Sequence, residues 1–118
     1  MSWHHHRLDP SIAIGLPVES YGAIEAHRLQ HQRVTVTLWR KGRLWFGSAS
    51  HPCDPDATVV RVGRGFDTPV SAVPELLAVL ESAEAVQSNP QARLHVRRAL
   101  LDNSYREIGP CAAQGRAA

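Results

Sequence analysis

Cysteine occurs only twice in this chain of 118 residues, at Cys53 and Cys111. Two isolated thiols with no Cys-x-x-Cys pair form neither a disulfide framework nor a four-ligand zinc site, and they fit a reducing compartment. No apolar run approaches the roughly 20 residues that cross a bilayer, so no membrane partner is expected. The N-terminal stretch lacks the apolar segment of a signal peptide, and a cytoplasmic location is expected. Lysine is nearly missing: of 13 basic residues, all but Lys41 are arginine. Arginine's planar fork suits phosphates and bases, although genomic drift towards arginine codons gives the same bias. Catalytic signatures are missing too. There is no Gly-x-Ser-x-Gly, no His-Glu-x-x-His and no Gly-x-Gly-x-x-Gly, and Gly63-Arg64-Gly65-Phe66 is too short to cradle a phosphate. His27, His31, His51 and His95 are scattered. A metal cluster of His51, Cys53, Asp54 and Asp56 ranks behind the turn chemistry that an Asp-Pro-Asp loop normally serves. No enzyme, metal or cofactor is therefore expected.

What the chain does have is an ordinary globular balance, 43% hydrophobic and 20% charged, with a formal net charge of +2. Its length corresponds to one domain. Residues 1–11, with His4 to His6, read as a flexible arm, 12–102 as the domain, and 103–118 as a flexible tail. The domain is expected to be α+β: a small antiparallel sheet of about four strands packed against one or two C-terminal helices.

The strongest local signal is a hairpin at Lys41-Gly42, flanked by Val34 to Arg40 and Arg43 to Ser50. With Lys41 and Gly42 as the loop, Arg40 faces Arg43, Trp39 faces Leu44 and Leu38 faces Trp45. One face then carries Val34, Val36, Leu38, Arg40, Arg43 and Trp45, and the other Thr35, Thr37, Trp39, Leu44, Phe46 and Ser48. Ile12 to Val18 reads as a short strand. Residues 19–30 fit a helix loosely through Tyr21, Ile24 and Leu29. His51 to Ala57 is a loop, Thr58 to Val62 a third strand, and Phe66 to Val70 a fourth strand or a bend. Ser71 is placed to cap a helix over 72–86, with Pro74 in its first turn and Val73, Leu76, Leu77, Leu80 and Ala83 as its apolar stripe. Asn89 and Pro90 open a second helix.

Trp39, Trp45 and Phe46 interleave on the sheet with Arg33, Arg40, Lys41, Arg43, Arg61 and Arg64, and all of these but Phe46 are expected to be the binding residues. Cations that track phosphates beside rings that stack on bases are what single-stranded nucleic acid requires. The opposing reading makes the rings core and the arginines a solvated rim.

Residues 33–85 resemble the positive cofactor 4 family of transcriptional coactivators. The shared pattern runs through Lys41-Gly42-Arg43, a second strand, a polar loop, a strand ending in Arg64-Gly65, and a Pro-Val-x-x-x-Pro-Glu-Leu-Leu helix. The resemblance implies a curved four-stranded sheet followed by a helix, a homodimer through helix 72–86, and binding of single-stranded DNA on the sheet, with Lys41, Arg43 and Arg64 as phosphate contacts. The second strand ends in Ala49-Ser50-His51-Pro52 where the family has an arginine followed by aromatics, so Trp39 or Trp45 would supply the stacking ring.

Single-stranded nucleic-acid binding, with a connection to transcription, is the leading expectation. A non-enzymatic interaction or regulatory module of a mobile element comes second, and an α+β protein with a small-molecule pocket third.

Overall fold

Runs of β-branched and aromatic residues carry the middle of the chain through an antiparallel meander, and the helices follow it. The computed structural model describes residues 6–7, 20, 22–52, 58–102 and 105–107. The expectations for Ile12 to Val18, for Cys53, Asp54 and Asp56, and for most of the two tails lie outside these residues. In chain order the elements are β1 (His6–Arg7), β2 (Glu25–His31), β3 (Val34–Lys41), β4 (Leu44–His51), β5 (Thr58–Arg61), α1 (Pro69–Ser82), α2 (Glu84–Gln87), α3 (Pro90–Leu101) and β6 (Arg106–Glu107). Strands β2 to β5 form a four-stranded meander, and the two-residue β1 and β6 both pair with β2. The α+β architecture is the expected one.

The structure corrects the reading of residues 19–30 as a helix, because residues 25–30 belong to β2. Gly22 holds φ at +89°, outside the helical range, and Ile24 is 41% exposed rather than stacked on Leu29. Strand alternation instead turns His27, Leu29 and His31 inward, all three buried. The turn into β3 is Gln32-Arg33, with His31 opposite Val34.

The β3–β4 hairpin also departs from expectation in its register. Lys41 pairs with Leu44, so the loop is Gly42-Arg43. Gly42 takes the positive φ (+63°) at the first loop position, the placement of glycine in a type II′ turn. Trp39 therefore faces Phe46, Arg40 faces Trp45 and Leu38 faces Gly47. Each partner moves by two residues, an even shift, which leaves every strand side chain on its expected face. Arg43 moves out of the strand into the turn, and its expected opposition to Arg40 does not occur.

Helix α1 starts three residues before its expected first residue. Thr68 is the N-cap, its Oγ1 accepting from the Ser71 amide at 3.1 Å, and Pro69 fills the first turn. Pro74 consequently lies in the second turn, on the exposed side, where the carbonyl that loses proline's missing N–H is open to solvent rather than buried. The helix stops at Ser82 because Ala83 is extended, and one turn of α2 then brings Val86 into the core. Asn89 caps α3 as expected, accepting from the amides of Gln91 and Ala92 at 3.0 and 3.1 Å.

One sheet face packs Leu29, Val34, Val36, Leu38, Trp45 and Ala49 against Leu76, Leu77 and Leu80 of α1 and Val96 of α3. Gly47 sets the distance of closest approach. A Cβ there would meet a methyl of Leu38 and one of Leu76 at 2.7 Å each, so α1 lies against bare backbone. At the sheet's open end α3 is tied down twice. His31 Nε2 lies 3.0 Å from Asp102 Oδ2, and His51 Nε2 lies 2.9 Å from His95 Nδ1. Among the described residues no helix is long and apolar enough to cross a membrane.

Candidate functional site

With both long helices on one face, the other face of the meander presents its side chains in transverse rows that follow from the pairing. Counted from the β3–β4 turn, the rows are Lys41 and Leu44; Ala26, Trp39 and Phe46; Arg28, Thr37, Ser48 and Arg61; and Gln30, Thr35, Ser50 and Val59. Lys41 and Arg61 are exposed and Phe46 is half-buried. Trp39 is only 3% exposed although it lies outside the main core. Trp39, Phe46, Lys41 and Arg61, with Gly47, Val62 and Gly63, line a groove of about 310 Å³. Its floor is aromatic and its walls carry two cations. At the opposite end of the same face, Gln30, Gln32, Arg33, Thr35, Ser50, His51 and Pro52 line a second groove of about 340 Å³.

The eight residues singled out in the sequence do not converge on one site. Trp39, Lys41 and Arg61 meet at the first groove, and Arg33 stands at the second. Arg43 is exposed in the turn. Trp45 lies on the helix-covered face, 5% exposed, with its ring 5.5 Å from that of His27 and its backbone paired to Phe66 through two 2.8 Å hydrogen bonds. It is a core residue. Arg40 shares that face and is held by Glu25, its Nε and one terminal nitrogen each 3.0 Å from Oε1. Its other terminal nitrogen donates to the Gly42 carbonyl at 2.9 Å. These bonds make Arg40 a clamp between β2 and the β3–β4 turn. Arg64 stands over the Phe66 ring at 4.4 Å and reaches Glu75 of α1 at 3.6 Å, on the helix side. Leu44 fills the space beside Gly65, where a Cβ would sit 2.8 Å from it.

Among the basic and aromatic side chains of the helix-free face, Arg28 and Phe46, the latter noted as an interleaved ring but not as a contact, were left out of the expected site. Phe46 was legible from the period-two alternation that puts it beside Trp39. Arg28 was hidden by the helical reading of its strand.

Charge at the open end is set by a different group. Burial is the chief cause that pushes the His51 imidazole below its ordinary value, followed by His95 and Arg33. Burial, Arg33 and Arg98 lower His95 in that order. The two rings stack at 5.2 Å between centroids, one nitrogen donating to the other. Tyr105 is raised to about 12 by burial and by Asp102, and its hydroxyl donates to the Ala99 carbonyl. Among the described residues no three His, Cys, Asp or Glu side chains gather where a metal ion would sit. No protein-family model, curated protein or solved structure matches the chain.

Proposed function

We propose that the protein binds single-stranded nucleic acid across the face of the sheet that carries no helix. The observation that carries the reading is the first groove, lined by Lys41 and Arg61 together with the cross-strand pair Trp39 and Phe46. Two exposed cations in one groove with a half-buried ring offer phosphates two contacts and a base one stacking surface, with no demand on base identity. Among the described residues Lys41 forms no ion pair. Arg43 in the adjoining turn adds a third positive charge at the same end. The residues that serve this reading are thus Lys41, Arg43, Phe46 and Arg61, with Arg33 at the far end of the face. Arg40, Trp45 and Arg64 have structural tasks.

The resemblance of residues 33–85 to positive cofactor 4 proteins favours the same partner and a link with transcription. It also favours a homodimer through α1. The outward side of that helix carries exposed Val70 and Val79, and sedimentation at several concentrations would show whether copies associate.

The test is fluorescence anisotropy with a labelled thymidine octamer over a range of salt. In the double variant Lys41→Ser, Arg61→Ser, two lost phosphate contacts should flatten the log–log salt slope by about 1.4, at ~0.7 per phosphate on single strands. Phe46→Ala should weaken binding by roughly 1–3 kcal/mol, the worth of one stacked base. Unchanged binding in the double variant, or no binding by the parent, would defeat the proposal.

A further inference from the structure

We infer that the row Arg28, Thr37, Ser48 and Arg61 is a phosphate subsite that takes a phosphodiester group of the single strand. The inference rests on the nucleic-acid reading and deepens it, because the row lies next to the aromatic one and would hold the backbone while the rings hold a base.

Arg28 carries the argument. It projects from the middle of β2, directly opposite Thr37, and is half-buried. Its Nε is buried and has no hydrogen-bond partner. Three other arginines have acids: Arg40 has Glu25, Arg64 has Glu75 and Arg97 has Glu81. Arg28 has no such carboxylate among the described residues. A guanidinium that has lost water along one edge without gaining an acceptor is a net cost to the fold. An anion supplied from outside would remove that cost.

The rest of the row fits the same ligand. Thr37 and Ser48 stand opposite each other, 6% and 5% exposed, and neither hydroxyl bonds another described side chain. Hydroxyls beside a guanidinium donate to phosphate oxygens but cannot neutralise the charge themselves. A cation would be repelled by the arginines, and an apolar group would leave the hydroxyls unpaired. An oxyanion with several acceptor atoms satisfies both, and a guanidinium can grip it with two parallel bonds.

Spacing agrees as well. Arg28 and Arg61 are three strand intervals apart, roughly 14 Å between backbones, so both long side chains can lean over the hydroxyls. The row lies two residues along the strand from Trp39 and Phe46, about 7 Å. That is comparable to the distance from base to phosphate in one nucleotide.

An abasic deoxyribose-phosphate octamer isolates this row from stacking, and a thymidine octamer tests the whole face. The parent should bind the abasic strand. Both Arg28→Met and the pair Thr37→Val, Ser48→Ala should weaken that binding tenfold or more, and Arg28→Lys, which keeps the charge but loses the fork, should fall between. Arg28→Met should melt no lower than the parent, since it removes an unpaired charge. The subsite is overturned if these variants bind the abasic strand as the parent does, or if the parent does not bind it. Should the parent then still bind thymidine octamer, with Phe46→Ala weakening it, the nucleic-acid reading survives without this subsite. If it binds neither strand, both fall.

Discussion

Gln32 holds φ at +55°, the only non-glycine residue with a positive φ among those described. It is the first residue of the two-residue β2–β3 turn, the place that Gly42 takes in the next hairpin, and each is followed by an arginine. For a residue with a Cβ, the left-handed region costs about 1–2 kcal/mol. Glycine removes that strain but adds disorder to the unfolded chain, worth about 0.5–1 kcal/mol. Gln32→Gly should therefore raise stability by about 0.5–1 kcal/mol in a urea melt. A loss would mean that the Gln32 side chain contributes more than its backbone strain removes. The same residue explains why the first hairpin was invisible. Gly42 announces its turn, whereas Gln32-Arg33 contains none of the residues that mark one, and the polar run before it carries a single large aliphatic, Leu29.

At the scale of elements, the sheet and α1 were legible and β2 was not, for one physical reason. Val34, Val36 and Leu38 alternate with threonines, so the period of two shows in composition. In β2 the inward positions are His27, Leu29 and His31, two of them polar residues whose distant contacts, the Trp45 ring for His27 and Asp102 for His31, do not show in the local sequence. The apolar stripe of α1 was equally plain, since Val73, Leu76, Leu77 and Leu80 recur at helical spacing and all are buried. Its ends were not plain. Proline at 69 and an extended Ala83 shift the start and the stop, and Thr68 rather than Ser71 provides the cap. Leu77 packs in the main core at 1% exposure. Leu77→Ala should cost about 2–5 kcal/mol, the range for a cavity in a core that relaxes only partly. A denaturant melt showing a loss near zero would place α1 on something other than this sheet. The site was half legible by the same logic. Alternation placed Phe46 beside Trp39, but the pairing that aligns Arg28, Thr37, Ser48 and Arg61 needs the register of three hairpins.

The whole molecule has two layers, and the ring pair His51–His95 joins them, one from β4 and one from α3. Both imidazoles are held below their ordinary value of 6.5, by burial first, then by His95 and Arg33 for His51, and by Arg33 and Arg98 for His95. The neutral forms therefore suit the fold better than the unfolded chain. A base whose folded value is depressed gives its full stability above the unfolded value near 6.5. As pH falls below 6.5 the unfolded chain takes up protons that the folded pair refuses, and stability drains until the lowered folded values are passed. With both rings charged, neither nitrogen can accept, and two cations stack beside Arg33 and Arg98. Urea melts should thus show a drop in stability between pH 7 and pH 5. The double change His51→Gln, His95→Gln, which removes the titration, should make the drop smaller, while at pH 7.5 it loses the stacked contact and starts from a lower value. If parent and variant lose the same amount over that interval, the link between sheet and helix layer is not titrated through this pair.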